Sequence, residues 1–334
     1  MQKCFKKLSQ YKFSILTVFL VTAMVAVSGF TGEKEFIFPE VMALALGAWI
    51  APRQPWRVKR LTMLLMMTAS AFIGVLLVRL PGIGQYWKLI AAFAFAGLLL
   101  TILKTNLVPV VAAVILPVML GTRSWIYPLT VFTLTSIIIA VQWAAERIGY
   151  RKTIVPGKCC VSWNLKDELV KWMGLLILFA LFAAIALKLN VCYLIAPPIL
   201  VTCVELGTKN SAVRKNGKKV LTILLLTSFI GAPLRLFITG YLGMPLWLAA
   251  DLAVLLLLGV FRLTGMIFPP AGALTVLPML LPANGLEVFP LLAACGSLLM
   301  CGIVMAVTKD WTPVITTVRG QLSSLLGVFD SNNI

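Results

Sequence analysis

The chain has 334 residues, 60% of them hydrophobic and only 12% charged, with a mean hydropathy of +1.00. Soluble domains run at about 45–50% apolar and about 25% charged, so the composition excludes a soluble domain and predicts an all-α, polytopic membrane protein with the lipid bilayer as its first partner. The 29 Lys+Arg against 11 Asp+Glu give +18, but the bases sit in short loops between apolar runs, which sets membrane orientation rather than nucleic-acid binding.

In chain order, six apolar segments lie at 14–30, 37–51, 61–80, 87–103, 107–121 and 126–144, and six more at 170–189, 192–207, 219–241, 245–262, 266–282 and 288–307. The first follows a basic "MQKCFKKLSQYKF" and has the look of a signal peptide, but an internal repeat argues that it is a retained helix. The two halves match at an offset of about 160 residues, which predicts a tandem duplication. "LTMLLMMTASAFIG" (61–74) matches "LTILLLTSFIG" (221–231), and "VPVVAAVILPVML" (108–120) matches "PPAGALTVLPMLL" (269–281), with Pro109 on Pro270 and Pro117 on Pro278. Residues 127–141 correspond to 289–307, and Trp87 and Trp247 open equivalent helices.

The basic loops test the crossings. Lys3, Lys6, Lys7 and Lys12, then Arg53 to Arg60, the 147–171 linker and Lys209 to Lys219 all fall on one side if all twelve segments cross. That puts both termini in the cytoplasm at the cell membrane and makes the repeats parallel, because each half has an even number of crossings. The expected organisation is a first, degenerate repeat at 1–145, a basic cytoplasmic linker at 146–169, a second repeat at 170–308 and a cytoplasmic tail at 309–334. The tail contains "TTVRGQLSSLLGVF", which lies on the inner surface or frays, and Cys159-Cys160 in the linker is a palmitoylation site or plain solvated loop.

Segments two and five of each half are short, roughly 25 Å as helices against a hydrocarbon core of about 30 Å. They also hold the prolines: Pro39, Pro197-Pro198, Pro109 with Pro117, and Pro269-Pro270 with Pro278. Proline fits a helix's first turn and pushes the residue before it to extended geometry. An extended approach followed by a short helix is therefore expected, its N-terminus drawn into the protein. Such backbone is tolerated at membrane depth only inside the bundle or beside water, and paired interrupted segments in two repeats point to a transport site. The alternative is that the prolines only kink packed helices.

Charges inside the apolar runs are the other candidates. Arg235 and Asp251 flank the tight turn "GYLGMP" at one depth, as a structural ion pair or as a substrate- or proton-linked pair. Arg79 takes the corresponding place in the first half, with Glu40 its nearest acidic candidate, although a carboxylate in a helix's first turn is favourable by itself. Glu205, Lys104 and Arg262 read as snorkelling side chains near cytoplasmic ends. Asn106 lines a pathway or caps a helix.

No catalytic motif appears: no HExxH, no GxSxG and no phosphate-binding loop, so no enzyme, no cofactor and no metal site is expected. Histidine is absent altogether, and the seven cysteines have no zinc-like spacing.

At "FRLTGMIFPPAGALTVLPML" (261–280) the sequence resembles the HPP family of integral membrane proteins. Its signature is His-Pro-Pro followed by Ala/Gly-Gly-Ala within a transmembrane segment. Pro269, Pro270, Ala271, Gly272, Ala273 and the preceding Arg262 fit, and "IAPPILVTCVELGTKNSAVRKNGKKVLTILLLTSFIG" is similar to that family's first helices and basic loop. The signature histidine is replaced by Phe268. The resemblance covers 190–307 well and 37–144 as a degenerate copy. It implies a membrane protein that transports a small anion such as nitrite or nitrate, as a secondary carrier or channel. The layout is also similar to aromatic-acid exporters of the fusaric-acid-resistance type. A non-transporting membrane scaffold is the third reading, and a homo-oligomer stays open. The candidate substrate-binding residues are Phe268, Pro269, Pro270, Ala271, Gly272, Asn106, Pro109, Pro39, Pro198, Arg235, Asp251 and Glu40.

Overall fold

The structure, a computed structural model, describes residues 2–51, 54–150, 165–209 and 211–309, and every element among them is helical. The tail and the Cys159-Cys160 linker lie outside the described residues. In chain order the helices are α1 (Gln2–Thr31), α2 (Glu40–Ala45), α3 (Arg60–Arg79), α4 (Gln85–Ile102), α5 (Pro109–Leu120) and α6 (Ile126–Arg147). They continue with α7 (Leu165–Lys188), α8 (Pro197–Gly207), α9 (Ala212–Lys215), α10 (Gly217–Ser228), α11 (Gly231–Arg235), α12 (Leu246–Thr264), α13 (Pro269–Val276), α14 (Phe289–Gly296) and α15 (Gly302–Lys309).

Among the described residues, eight helical stretches are long and apolar enough to cross a membrane: Lys12–Thr31, α3, α4, α6, α7, Gly217–Tyr241, α12 and Phe289–Thr308. Less than half of each is buried within the protein. Their outer faces carry Phe19, Leu65, Leu98, Leu129, Leu181, Leu255 and Leu291 in the open. A band of large apolar side chains on that scale would drive association in water but needs no cover in lipid. The chain is a polytopic membrane protein.

The short helices have the opposite environment. Every residue of α2 and α13 is buried, as is α5 from Pro109 to Met119 and α8 from Pro197 to Val204. Helices apolar on all sides belong in the centre, and these four form it: α2 packs on α13, and α5 on α8. The long helices enclose them, α1 against α12, α4 against α7, α3 against α5 and α6, and α10 against α13 and α14.

Glycines allow the closest approaches. A Cβ on Gly74 would lie 2.5 Å from Pro117 Cγ and 2.6 Å from the Val114 carbonyl oxygen. On Gly231 it would collide with the Thr275 carbonyl oxygen and come within 3.0 Å of Pro278 Cγ. Small residues of this kind let membrane helices pack backbone to backbone.

Candidate functional site

Proline placement shapes the short helices. Pro109, Pro197-Pro198 and Pro269-Pro270 occupy the first helical positions, where no donor is required. The residues before α8 and α13 are extended: Ala196 has φ −52°, ψ 136°, and Phe268 has φ −124°, ψ 101°. The expected extended approach does not hold for α5, because Val108 (φ −59°, ψ −28°), directly before Pro109, already has helical angles. Ahead of α2, Ile37 is extended (φ −85°, ψ 112°) and Pro39 (φ −57°, ψ −32°) opens the helix. The first turns of these two helices close with Val41 N–H donating to Phe38 O and Val110 N–H to Leu107 O.

The four helices meet at one cavity. Glu40 and Ala43 come from α2, Pro109 and Ala112 from α5, Pro198, Val201 and Glu205 from α8, and Pro269, Pro270 and Ala273 from α13. Trp56, from the loop before α3, closes it. Alanine on three of the four helices leaves a void of about 10 Å³, room for about one water molecule. Glu40 is 1% exposed, and neither of its carboxylate oxygens has a hydrogen-bond partner. The indole N–H of Trp56 is also buried without an acceptor. A carboxylate with no donor and no counter-ion is costly in such surroundings, so this cavity calls for a positive partner.

Of the residues singled out in the sequence, Glu40, Pro109, Pro198, Pro269 and Pro270 line the cavity. Pro39, Phe268, Ala271 and Gly272 are buried beside it. Gly272 is a packing joint, since a Cβ there would meet Leu46 Cδ1 at 2.5 Å and Met42 Cγ at 2.8 Å. Arg235 and Asp251 stay apart. The Arg235 guanidinium donates to the carbonyls of Pro278 and Leu281 (the latter at 2.6 Å), at the end of the α13 segment. Asp251 accepts from the Thr22 hydroxyl of α1 at 2.5 Å. The hairpin pair fails because Arg235 leads into a π-helical turn, Leu236–Tyr241, which rotates the helix out of the phase a straight one would keep.

Arg79 likewise leaves Glu40 alone. Its Nε and one terminal nitrogen donate to Arg123 O at 2.9 and 2.7 Å, and its guanidinium lies over Trp125. Asn106 is exposed and neither lines the cavity nor caps a helix. Its amide donates to Pro55 O at 2.8 Å and its oxygen accepts from Arg57 N–H at 2.9 Å, tying down the loop that carries Trp56. Asn106→Ala should therefore cost about 1–2 kcal/mol, read as a lower melting temperature of the detergent-solubilised protein.

The polar side chains of the lining that the sequence did not place among the binding candidates are Glu205, read as a snorkelling side chain, and Trp56, an aromatic in a basic loop. Comparisons with protein-family models, with curated proteins and with solved structures find no match to this chain.

Proposed function

We infer that this chain is a secondary transporter or channel whose pathway runs between the four short helices at the centre of a duplicated bundle. The observation that carries this is Glu40, an intramembrane carboxylate without a partner at the point where those helices meet. Ionisable groups inside membrane proteins mark ion and substrate pathways, and broken short helices at matching places in two halves mark binding sites.

The duplication is supported by contacts that exchange under the alignment. The partnership α1/α12 becomes α7/α4, and α2/α13 becomes α8/α5. Gly74 against Val114 and Pro117 becomes Gly231 against Thr275 and Pro278. We take the four short helices to cross together with the eight long ones, which makes the repeats parallel and puts both termini on the side of the basic loops, in a cell membrane the cytoplasm.

The substrate we favour is a small anion of the nitrite or nitrate kind. Its support is the excess of basic residues, which draws anions to the protein, and the resemblance at residues 268–273. An anion in this cavity meets Glu40 and Glu205, so its passage requires that both carboxylates be neutralised. A larger aromatic acid would need the cavity to widen far beyond its present size.

Purified protein in liposomes should take up nitrite or nitrate faster than protein-free liposomes. Uptake equal to the protein-free background, while a known carrier is active in parallel, would remove the transport reading in favour of a membrane scaffold.

A further inference from the structure

We propose that the cavity among the four short helices is a proton-binding site, with Glu40 as the group that takes the proton and Glu205 as the second carboxylate of a short relay. This rests on the transporter reading for its purpose and names the coupling ion of that pathway.

The geometry selects a proton over a metal ion. Ions such as Ca²⁺ or Mg²⁺ take about six or more oxygen ligands, whereas the remaining lining residues are alanine, valine, proline and tryptophan. Among the described residues no group of three or more Asp, Glu, Cys or His side chains could hold a metal. A void of about 10 Å³ has room for about one water. One water can carry a proton to a carboxylate and occupy the vacant hydrogen-bond positions of Glu40 and Trp56.

Among the described residues no neighbouring group is paired with Glu40. Neither α5 nor α13 has an ionisable side chain. The group that α6 brings near is Tyr127, whose hydroxyl donates to Ala113 O at 3.1 Å. At the far end of α6, Glu146 is paired with Arg60 and Arg147 lies over Trp143. Lys12 of α1 lies at Tyr150. Across the cavity the facing charge is Glu205. On loading, a protonated water gives its proton to a Glu40 Oε, forming an O–H bond and leaving neutral water. On release that bond breaks, its electron pair stays on the carboxylate and the proton passes to water or to Glu205.

The test is infrared difference spectroscopy, acidic minus alkaline, on the full chain in liposomes. The wild-type spectrum should contain the C=O stretch of a protonated carboxyl in an apolar site. Glu40→Gln should lose that component, Glu205→Gln should shift it, and Na⁺ at fixed pH should leave it in place. A wild-type spectrum without the band, a Glu40→Gln spectrum that keeps it whole, or its removal by Na⁺ would each overturn the assignment. The wild-type measurement decides even if a variant does not fold. Nitrite uptake is measured separately: a band without uptake removes the transport reading and leaves the proton site standing, whereas uptake without the band does the reverse.

Discussion

Gly231→Ala should remove most of the folded protein, although it adds a single methyl group. The new Cβ would collide with the Thr275 carbonyl oxygen, and backbone cannot move aside as the end of a flexible side chain can. Overpacking a tight contact costs about 1–3 kcal/mol and at times more, and here α11 would have to part from α13. Gly74→Ala should act in the same direction but less severely, because its closest contacts are longer, 2.5 Å to Pro117 Cγ and 2.6 Å to Val114 O. Gly259 of α12 and Gly174 of α7 have no atom within 4 Å of a Cβ position. Alanine there should be neutral or stabilising, by up to about 1 kcal/mol from helix propensity. Thermal unfolding of the four variants in detergent, with the monodisperse yield, ranks them. Equal behaviour of Gly231→Ala and Gly259→Ala would contradict the close packing of α11 on α13.

The long helices were legible because apolar runs of spanning length have few other fates. The short ones were legible because Pro109, Pro197-Pro198 and Pro269-Pro270 mark first turns, although Pro117 lies inside α5. What the sequence hid depends on helix phase and helix length. Arg235 and Asp251 read as partners on two straight helices, but the π-helical turn at Leu236–Tyr241 leaves no trace in composition or period. It turns Arg235 onto the carbonyls that end α13, while Asp251 faces Thr22. Glu205 read as an interfacial side chain because it closes an apolar segment. Yet α8 has only 11 residues, and Glu205 near its end lines the same cavity as Pro198 and Val201. Trp56 belongs to no periodic element; the Asn106 bonds hold its loop and its ring packs against Gly47, where a Cβ would collide.

Two buried glutamates should respond to substitution with opposite signs. Glu146 has a 4% exposed side chain that accepts from Arg60 at 2.6 Å and from Gln142 at 3.0 Å, while Gln142 also holds Gln54. Glu146→Ala strands those donors and should destabilise the protein by about 1–3 kcal/mol. Arg60 is 38% exposed, and water takes up part of the loss. Glu40 has no partner to strand, so Glu40→Leu removes only the cost of burying an unsatisfied polar group and should raise stability by about 1–3 kcal/mol. The same change should abolish solute uptake in liposomes, while correctly folded Glu146→Ala protein should retain it. A residue kept at a cost to stability is the mark of a functional position. If Glu40→Leu lowered the melting temperature as Glu146→Ala does, Glu40 would be a packing residue, and the pathway would have to be sought elsewhere in the bundle.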